Sequence, residues 1–238
     1  GVTLDITKRK NYEAQKDDFL GIASHELKTP ITSLKATIQL LSRLKEKQNH
    51  EMLPRLVDQA ANSMEKLNAL VDDLLNMHRI SEGQLELEKE SFNVYRMLEN
   101  CCNDIRFAGK YNLMISGNAE ATVFADEHRI EQVVVNFVNN AVKYAPRSRD
   151  IYLNIEPADS YVRISVKDNG DGIDPAIQPY IFDRYYRANH KGKKYSGLGL
   201  GLYISSEIIK RHAGEIGVES YPGQGSTFWF TLPSALPE

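Results

Sequence analysis

Apolar residues recur at Leu27, Ile31, Leu34, Ile38 and Leu41, spaced four, three, four and three apart. That is the seam of a helix packed in coiled-coil fashion. Carried backwards, the register puts Leu20 and Ser24 on the same stripe and His25 beside it, on a flank that faces water. The polar run Lys45–His50 breaks the pattern. A second seam follows at Leu53, Val57, Ala60, Met64, Leu67, Val71 and Leu74, with Pro54 tolerated in the first turn. The two seams predict an antiparallel helical hairpin. Two helices cannot enclose a core, so a homodimer closing a four-helix bundle is expected. Ahead of the hairpin, Gly1–Lys10 alternates like the end of a strand, with helix expected from about Asn11.

After Gly83 the texture changes. Gln84–Phe92 reads as a strand and Asn93–Ala108 as a helix. Leu113–Ile115 and Thr122–Ala125 read as short strands, and Asp126 can cap a helix over Glu127–Tyr144. Ile151–Glu156 and Tyr161–Lys167 form a predicted hairpin. A Gly-rich segment precedes a helix over Leu202–His212, and Ile216–Ser220 and Ser226–Leu232 are the last strands. Trp229, in the last of them, is expected in the core. The whole is an α+β chain, a helical hairpin followed by a two-layer α/β sandwich. Its expected parts are residues 1–16 (the end of an upstream domain and a connecting helix), 17–82 and 83–238.

Composition narrows the function classes. Of 238 residues, 29 are Lys or Arg and 32 are Asp or Glu, a net charge of −3. No basic balance or long Lys/Arg tract offers a footprint for nucleic acid. No apolar run approaches the ~18 residues of a membrane span. The two cysteines, Cys101 and Cys102, are adjacent, which excludes a disulfide framework and fits a reducing, cytoplasmic compartment. They sit in a predicted helix, as core filling. Gly1 in place of Met, with no signal peptide, marks the chain as a segment of something longer.

Four segments carry candidate chemistry. In Ser24-His25-Glu26-Leu-Lys-Thr29-Pro30 the imidazole is accessible and, near neutrality, nucleophilic. Glu26 can accept a proton, and Thr29 lies one turn on. Pro30 removes the amide that would bond the Glu26 carbonyl, which allows a bend after the nucleophile. Late in the Asp126-capped helix, Asn136, Asn140, Lys143 and Tyr144 share one stripe; Asn oxygens suit Mg²⁺ and Lys suits phosphate.

Asp168-Asn-Gly170-Asp-Gly172-Ile173 puts a carboxylate at a strand end, where it can accept a hydrogen bond from an amino group. The glycines beside it let backbone approach a flat ligand. Gly197-Leu198-Gly199-Leu200-Gly201 opens a helix and exposes amides suited to phosphate. It lacks the spacing and βαβ setting of a Rossmann fingerprint and the G-K-[ST] of a P-loop. Between the last two segments lie Phe182, Arg187 and the basic stretch His190–Lys194, a solvated loop placed to act as a lid.

In this order the segments resemble the catalytic core of bacterial sensor histidine kinases over nearly the whole chain. The resemblance implies a dimerisation and histidine-phosphotransfer hairpin joined to an ATP-binding domain of the Bergerat type, shared with gyrase, Hsp90 and MutL. By its motifs, His25 matches the phosphoacceptor and Glu26 the acid proposed as general base. Glu26 with Thr29 matches the E-x-x-T pattern that supports dephosphorylation of the partner in similar proteins. Asn140 matches the Mg²⁺ ligand, with Asn136 a turn before it, and Lys143 and Tyr144 match residues lining the nucleotide. Asp168 matches the reader of the adenine amino group, flanked by Gly170, Gly172 and Ile173. Phe182 and Arg187 match the phenylalanine-containing box, whose arginine reaches the γ-phosphate. Gly197, Leu198, Gly199, Leu200 and Gly201 match the second glycine box, although many relatives carry Ser or Thr at Leu198. Gly1–Lys10 resembles the last strand of a PAS sensor domain.

The implied reaction uses Mg-ATP to phosphorylate His25 and passes the group to an aspartate of a separate response regulator. Two alternatives stand beside it. ATP-hydrolysing clamps of the same fold carry a glutamate base one turn before the metal-binding asparagine, where this chain has Asn136. An inactive dimeric scaffold predicts degraded boxes, whereas these are nearly intact. His50, His78, His128, His190 and His212 match no metal-ligand spacing.

Overall fold

A computed structural model describes residues 7–44, 52–102, 111–146, 148–186 and 197–234. Two compact units meet in sequence at Gly83/Gln84, and Gly197–Leu200 groups with the helical one.

In the helical unit, α1 runs Thr7–Leu44 with Pro30 inside it, and α2 runs Leu53–Ser81 with Pro in its first turn. The expected strand character of Gly1–Lys10 fails at Thr7–Lys10, which is helix; Gly1–Ile6 lies outside the described residues. Extending an existing helix adds one hydrogen bond for each residue fixed, whereas a lone strand gains none. The expected turn at Lys45–His50 also lies outside them.

Between the helices the buried positions on α1 are Phe19, Ala23, Pro30 and Thr37, and those on α2 are Leu56, Ser63 and Ile80. Phe19, Ala23, Pro30 and Thr37 each fall one residue before a position of the seam read from the sequence. The intrachain face is therefore rotated by about 100° from that seam. Leu20, Ile31 and Ile38 on α1 stay 50–53% exposed, and Val57, Met64 and Val71 on α2 are likewise open. The apolar stripe is wide enough for two interfaces, and one chain covers only one of them. A polar layer crosses the hairpin where the Ser63 hydroxyl donates to that of Ser33 (3.3 Å).

In the second unit, the strand expected over Gln84–Phe92 shrinks to β1, Glu90–Asn93, paired antiparallel with β3, Thr122–Ala125. The residues before it are held differently: the Glu88 amide donates to the Asp126 carboxylate rather than to a neighbouring strand (3.0 Å). The helix expected over Asn93–Ala108 is seen as α3, Val94–Cys101, capped by Asn93; residues 103–110 are outside the described set. Then come β2 (Asn112–Gly117), α4 (Glu127–Tyr144), β4 (Asp150–Pro157), β5 (Tyr161–Asp168), α5 (Gly201–Arg211), β6 (Ile216–Ser220) and β7 (Ser226–Pro233). The five-stranded sheet has the order β2-β4-β5-β7-β6, parallel only between β2 and β4.

The helices cover one face of this sheet. Phe137 of α4 lies 5.3 Å from Phe228 and 6.1 Å from Phe230, ring centre to ring centre. Strand alternation turns Trp229 the other way. Its expected place in the core is thereby corrected: it is half-buried on the opposite face, with the Arg163 guanidinium 4.5 Å above its ring. Gly217 makes room, because a Cβ there would press on the indole. Cys102 is buried. The Cys101 thiol is pushed far up by its hydrogen bond with Cys102 and then by burial, which suits packing and not thiolate chemistry. No helix among the described residues is long and apolar enough to cross a membrane.

Candidate functional site

On α1, His25 and Thr29 are exposed and Glu26 is half-buried. The Thr29 hydroxyl donates to the His25 carbonyl one turn back (3.1 Å). Pro30 is buried and, having no N–H, cannot donate the usual helical hydrogen bond at that turn. Within the same unit the Gly197 amide donates to the Glu26 carboxylate (3.0 Å). The acid beside the candidate nucleophile is thus held by a backbone group of the glycine-rich segment.

The sheet unit holds a second cluster. Alternation along β5 turns Val162, Ile164, Val166 and Asp168 to the covered face. Asp168 is a carboxylate at a position that pattern reserves for an apolar residue. It is 5% exposed, and burial pushes its pKa up, opposed by amide hydrogen bonds from Gly170 and Ser226. Its Oδ1 accepts from the Gly170 amide (2.7 Å). A buried carboxylate with acceptor capacity to spare suits a ligand that brings an N–H donor.

Gly170 connects this loop to α4. A Cβ at Gly170 would stand 3.0 Å from the Tyr144 carbonyl and 3.1 Å from the Ala145 side chain. The end of α4, with Asn140, Lys143 and Tyr144, is thereby brought beside Asp168. Asn140 and Lys143 are half-buried and Tyr144 exposed, with the Lys143 ammonium 5.0 Å from the Tyr144 ring centre. The amide oxygen of Asn140 is a hard donor of the kind Mg²⁺ takes. A turn earlier, the Asn136 amide donates to the Ser205 hydroxyl on α5 (2.9 Å), and its oxygen would collide with any Cβ at Gly201. Phe182 packs edge-on to Phe228 (6.5 Å). Leu198 and Leu200, in the glycine-rich segment that groups with the helical unit, are buried. Arg187 and His190–Lys194 lie outside the described residues.

Sequence reasoning missed three groups that shape this cluster. Ser220 and Gly225, at the two ends of the β6–β7 turn, and Gln178, five residues beyond Ile173, hold the loop after Asp168. Only the glycine left a trace in the sequence, in Tyr-Pro-Gly-Gln-Gly between two strands.

Comparison with known proteins gives one family match in each of the two units. Residues 15–83 match the His Kinase A (phospho-acceptor) domain family, and residues 125–236 match the histidine kinase-, DNA gyrase B- and HSP90-like ATPase family. The chain belongs to the sensor histidine kinase family. It is 29% identical over 98% of its length to the sensor histidine kinase WalK of Bacillus subtilis. It is 31% identical over its whole length to the sensor protein kinase WalK of Staphylococcus epidermidis. It spans 39% and 40% of those proteins.

Among solved structures, full-length ShkA in complex with AMPPNP is similar over 92% of this chain and 46% of that one. The identity is 25% and the TM-score 0.65. The histidine kinase ThkA in complex with the response regulator protein TrrA shares the fold over 97% of this chain and 65% of that one, at 24% identity and TM-score 0.65. As a histidine kinase core, the chain has its phosphoacceptor helix in the first matched region and its ATPase-type sheet domain in the second.

Proposed function

We propose that this chain is the catalytic core of a two-component sensor histidine kinase that phosphorylates its own His25 from ATP. The phosphoryl group then passes to an aspartate of a response regulator. The observation that carries this reading is an exposed histidine, flanked by an acid, on the helix of a phosphoacceptor hairpin. The same chain holds a buried carboxylate at a strand end, against a helix that presents Asn140 and Lys143. The proposed parts are residues 17–82 for dimerisation and phosphotransfer and 83–238 for ATP binding, with 1–16 ending an upstream sensor domain. The open stripe through Ile31, Ile38, Val57 and Met64 supports a homodimer, and the core is proposed to work in the cytoplasm.

Asp168 accepts the adenine amino group, while Gly170, Gly172 and Ile173 let the backbone lie against the base. Asn140 is the proposed Mg²⁺ ligand, and Mg²⁺ would neutralise phosphate charge. Lys143, Tyr144, Phe182 and the segment Gly197–Gly201 line the nucleotide, and Arg187 is the proposed partner of the γ-phosphate. An imidazole nitrogen of His25, Nε2, attacks in line; the N–P bond forms as the bond to the ADP oxygen breaks. Glu26 takes or orients the proton on Nδ1. Thr29 with Glu26 serves dephosphorylation of the regulator. Asn136 cannot take a proton from water, which disfavours an ATP-hydrolysing clamp.

The test is incubation with γ-labelled ATP and Mg²⁺. Acid-labile, alkali-stable label that vanishes in His25→Gln, with ATP binding intact, is expected. Label that persists in His25→Gln overturns the assignment, and phosphate release without labelling favours the hydrolase.

A further inference from the structure

The loop that follows Asp168 does not hold itself in place. Ile173, at its end, has both backbone groups bound by side chains from elsewhere. Its amide donates to the Ser220 hydroxyl (2.8 Å), and its carbonyl accepts from the Gln178 amide (3.0 Å). Ser220 is 3% exposed, and its hydroxyl is fully used. It donates its one proton to the Gly225 carbonyl (2.8 Å), and its lone pairs face the Ile173 amide and the Ser226 hydroxyl (3.0 Å). Gln178 closes the ring by also donating to the Ser220 carbonyl (2.7 Å).

Two further contacts press the loop on the same turn. The Gly223 amide donates to the Asp171 carbonyl (2.8 Å). At Gly172, φ is +73°, and a Cβ would fall into the Tyr221 carbonyl. The β6–β7 turn is therefore the floor on which the Asp168 loop is built.

We propose that Ser220, assisted by Gln178, is a positioning residue for base recognition. It fastens the Asp168–Ile173 loop to the β6–β7 turn and so sets where the Asp168 carboxylate meets the amino group of the base. Without the Ser220 hydroxyl, the Ile173 amide and Gly225 carbonyl lose their partner inside the fold, and the loop must shift to recover one. The inference rests on the proposed reading of Asp168 as the reader of adenine.

The test compares binding of ATP and inosine triphosphate, which lacks the 6-amino group, to the whole chain and its variants. The wild-type chain is expected to prefer ATP. Ser220→Ala should weaken ATP about tenfold and inosine triphosphate much less, so that the preference collapses. Ser220→Thr, which keeps the hydroxyl, should restore it. Gln178→Leu, at a half-buried site, should lower the preference by about threefold and keeps the test available if Ser220→Ala does not fold. A preference unchanged in both variants, or equal weakening of the two nucleotides, overturns the inference alone. A wild-type chain with no preference overturns the reading of Asp168 and the inference with it.

Discussion

The imidazole of His212, at the end of α5, accepts the backbone amide of Asp126, the residue that caps α4 (3.0 Å). His212 Nδ1 lies 2.8 Å from the Ile208 carbonyl, so Nδ1 carries the proton and Nε2 is the acceptor. Asp126 in turn accepts from Arg129 and Glu88 (3.1 and 3.0 Å). One buried ring thus joins the end of one helix to the start of the helix that carries Asn136 and Asn140.

Protonation would set two N–H groups against each other. Burial lowers the His212 pKa below its ordinary 6.5, and Lys89 nearby adds to this; the Ile208 hydrogen bond and Asp126 act against it. Because the folded pKa is depressed, this stabilisation is complete above 6.5 and is lost as pH falls through the folded value. Thermal unfolding between pH 5 and 7.5 should show the loss. His212→Ala should lower stability by ~2 kcal/mol near neutrality and flatten the pH slope.

Asp73 in α2 has the opposite sign. Burial, helped by neighbouring Asp72, raises its pKa from 3.8 to about 6. Its contribution is complete below 3.8 and is lost as pH rises through about 6, where an ionised carboxylate must stay half-buried. Asp73→Asn should stabilise the hairpin by ~1–2 kcal/mol at pH 7.5 and leave it unchanged at pH 4. Amide hydrogen exchange along α1 and α2 reads this directly, and equal protection in both proteins at pH 7.5 would refute it.

Gly172→Ala should be severe. The added methyl meets the Tyr221 carbonyl at a positive φ, so the loop must move. A cost of ~1–3 kcal/mol is expected, with at least tenfold weaker ATP binding in titration.

Glu26→Gln separates chemistry from binding. The amide still accepts from Gly197 but no longer takes a proton. The rate of His25 labelling should fall by about 10²–10⁴, with ATP affinity within twofold of wild type. A matching loss of affinity would show that Glu26 acts through the glycine-rich segment.

His25, Asp168 and Asn140 could be singled out as candidates because each stands in a short local pattern. A helical spacing or a strand end sets the side chain's direction without help from distant residues. The same locality exposed the Asp126 cap and the boundaries of α4, β3 and β6, all within a residue or so of expectation. Alternation along β7 even contained the correct place of Trp229, but a single large apolar residue reads as core until the covered face is known.

The hairpin shows the limit of periodicity. A 3.5-residue repeat announces that a helix buries a stripe, but not which neighbour covers it. Phe19 and Thr37 face α2, while Ile31 and Ile38, one step round the helix, stay open. Ser220, Gln178 and His212 left no signal, because each binds a backbone group that lies tens of residues away along the chain. Which residues can do chemistry was decided locally, by side-chain type and spacing. Where the Asp168 loop rests was decided by tertiary structure, because buried backbone groups must find partners and those partners lie far along the chain.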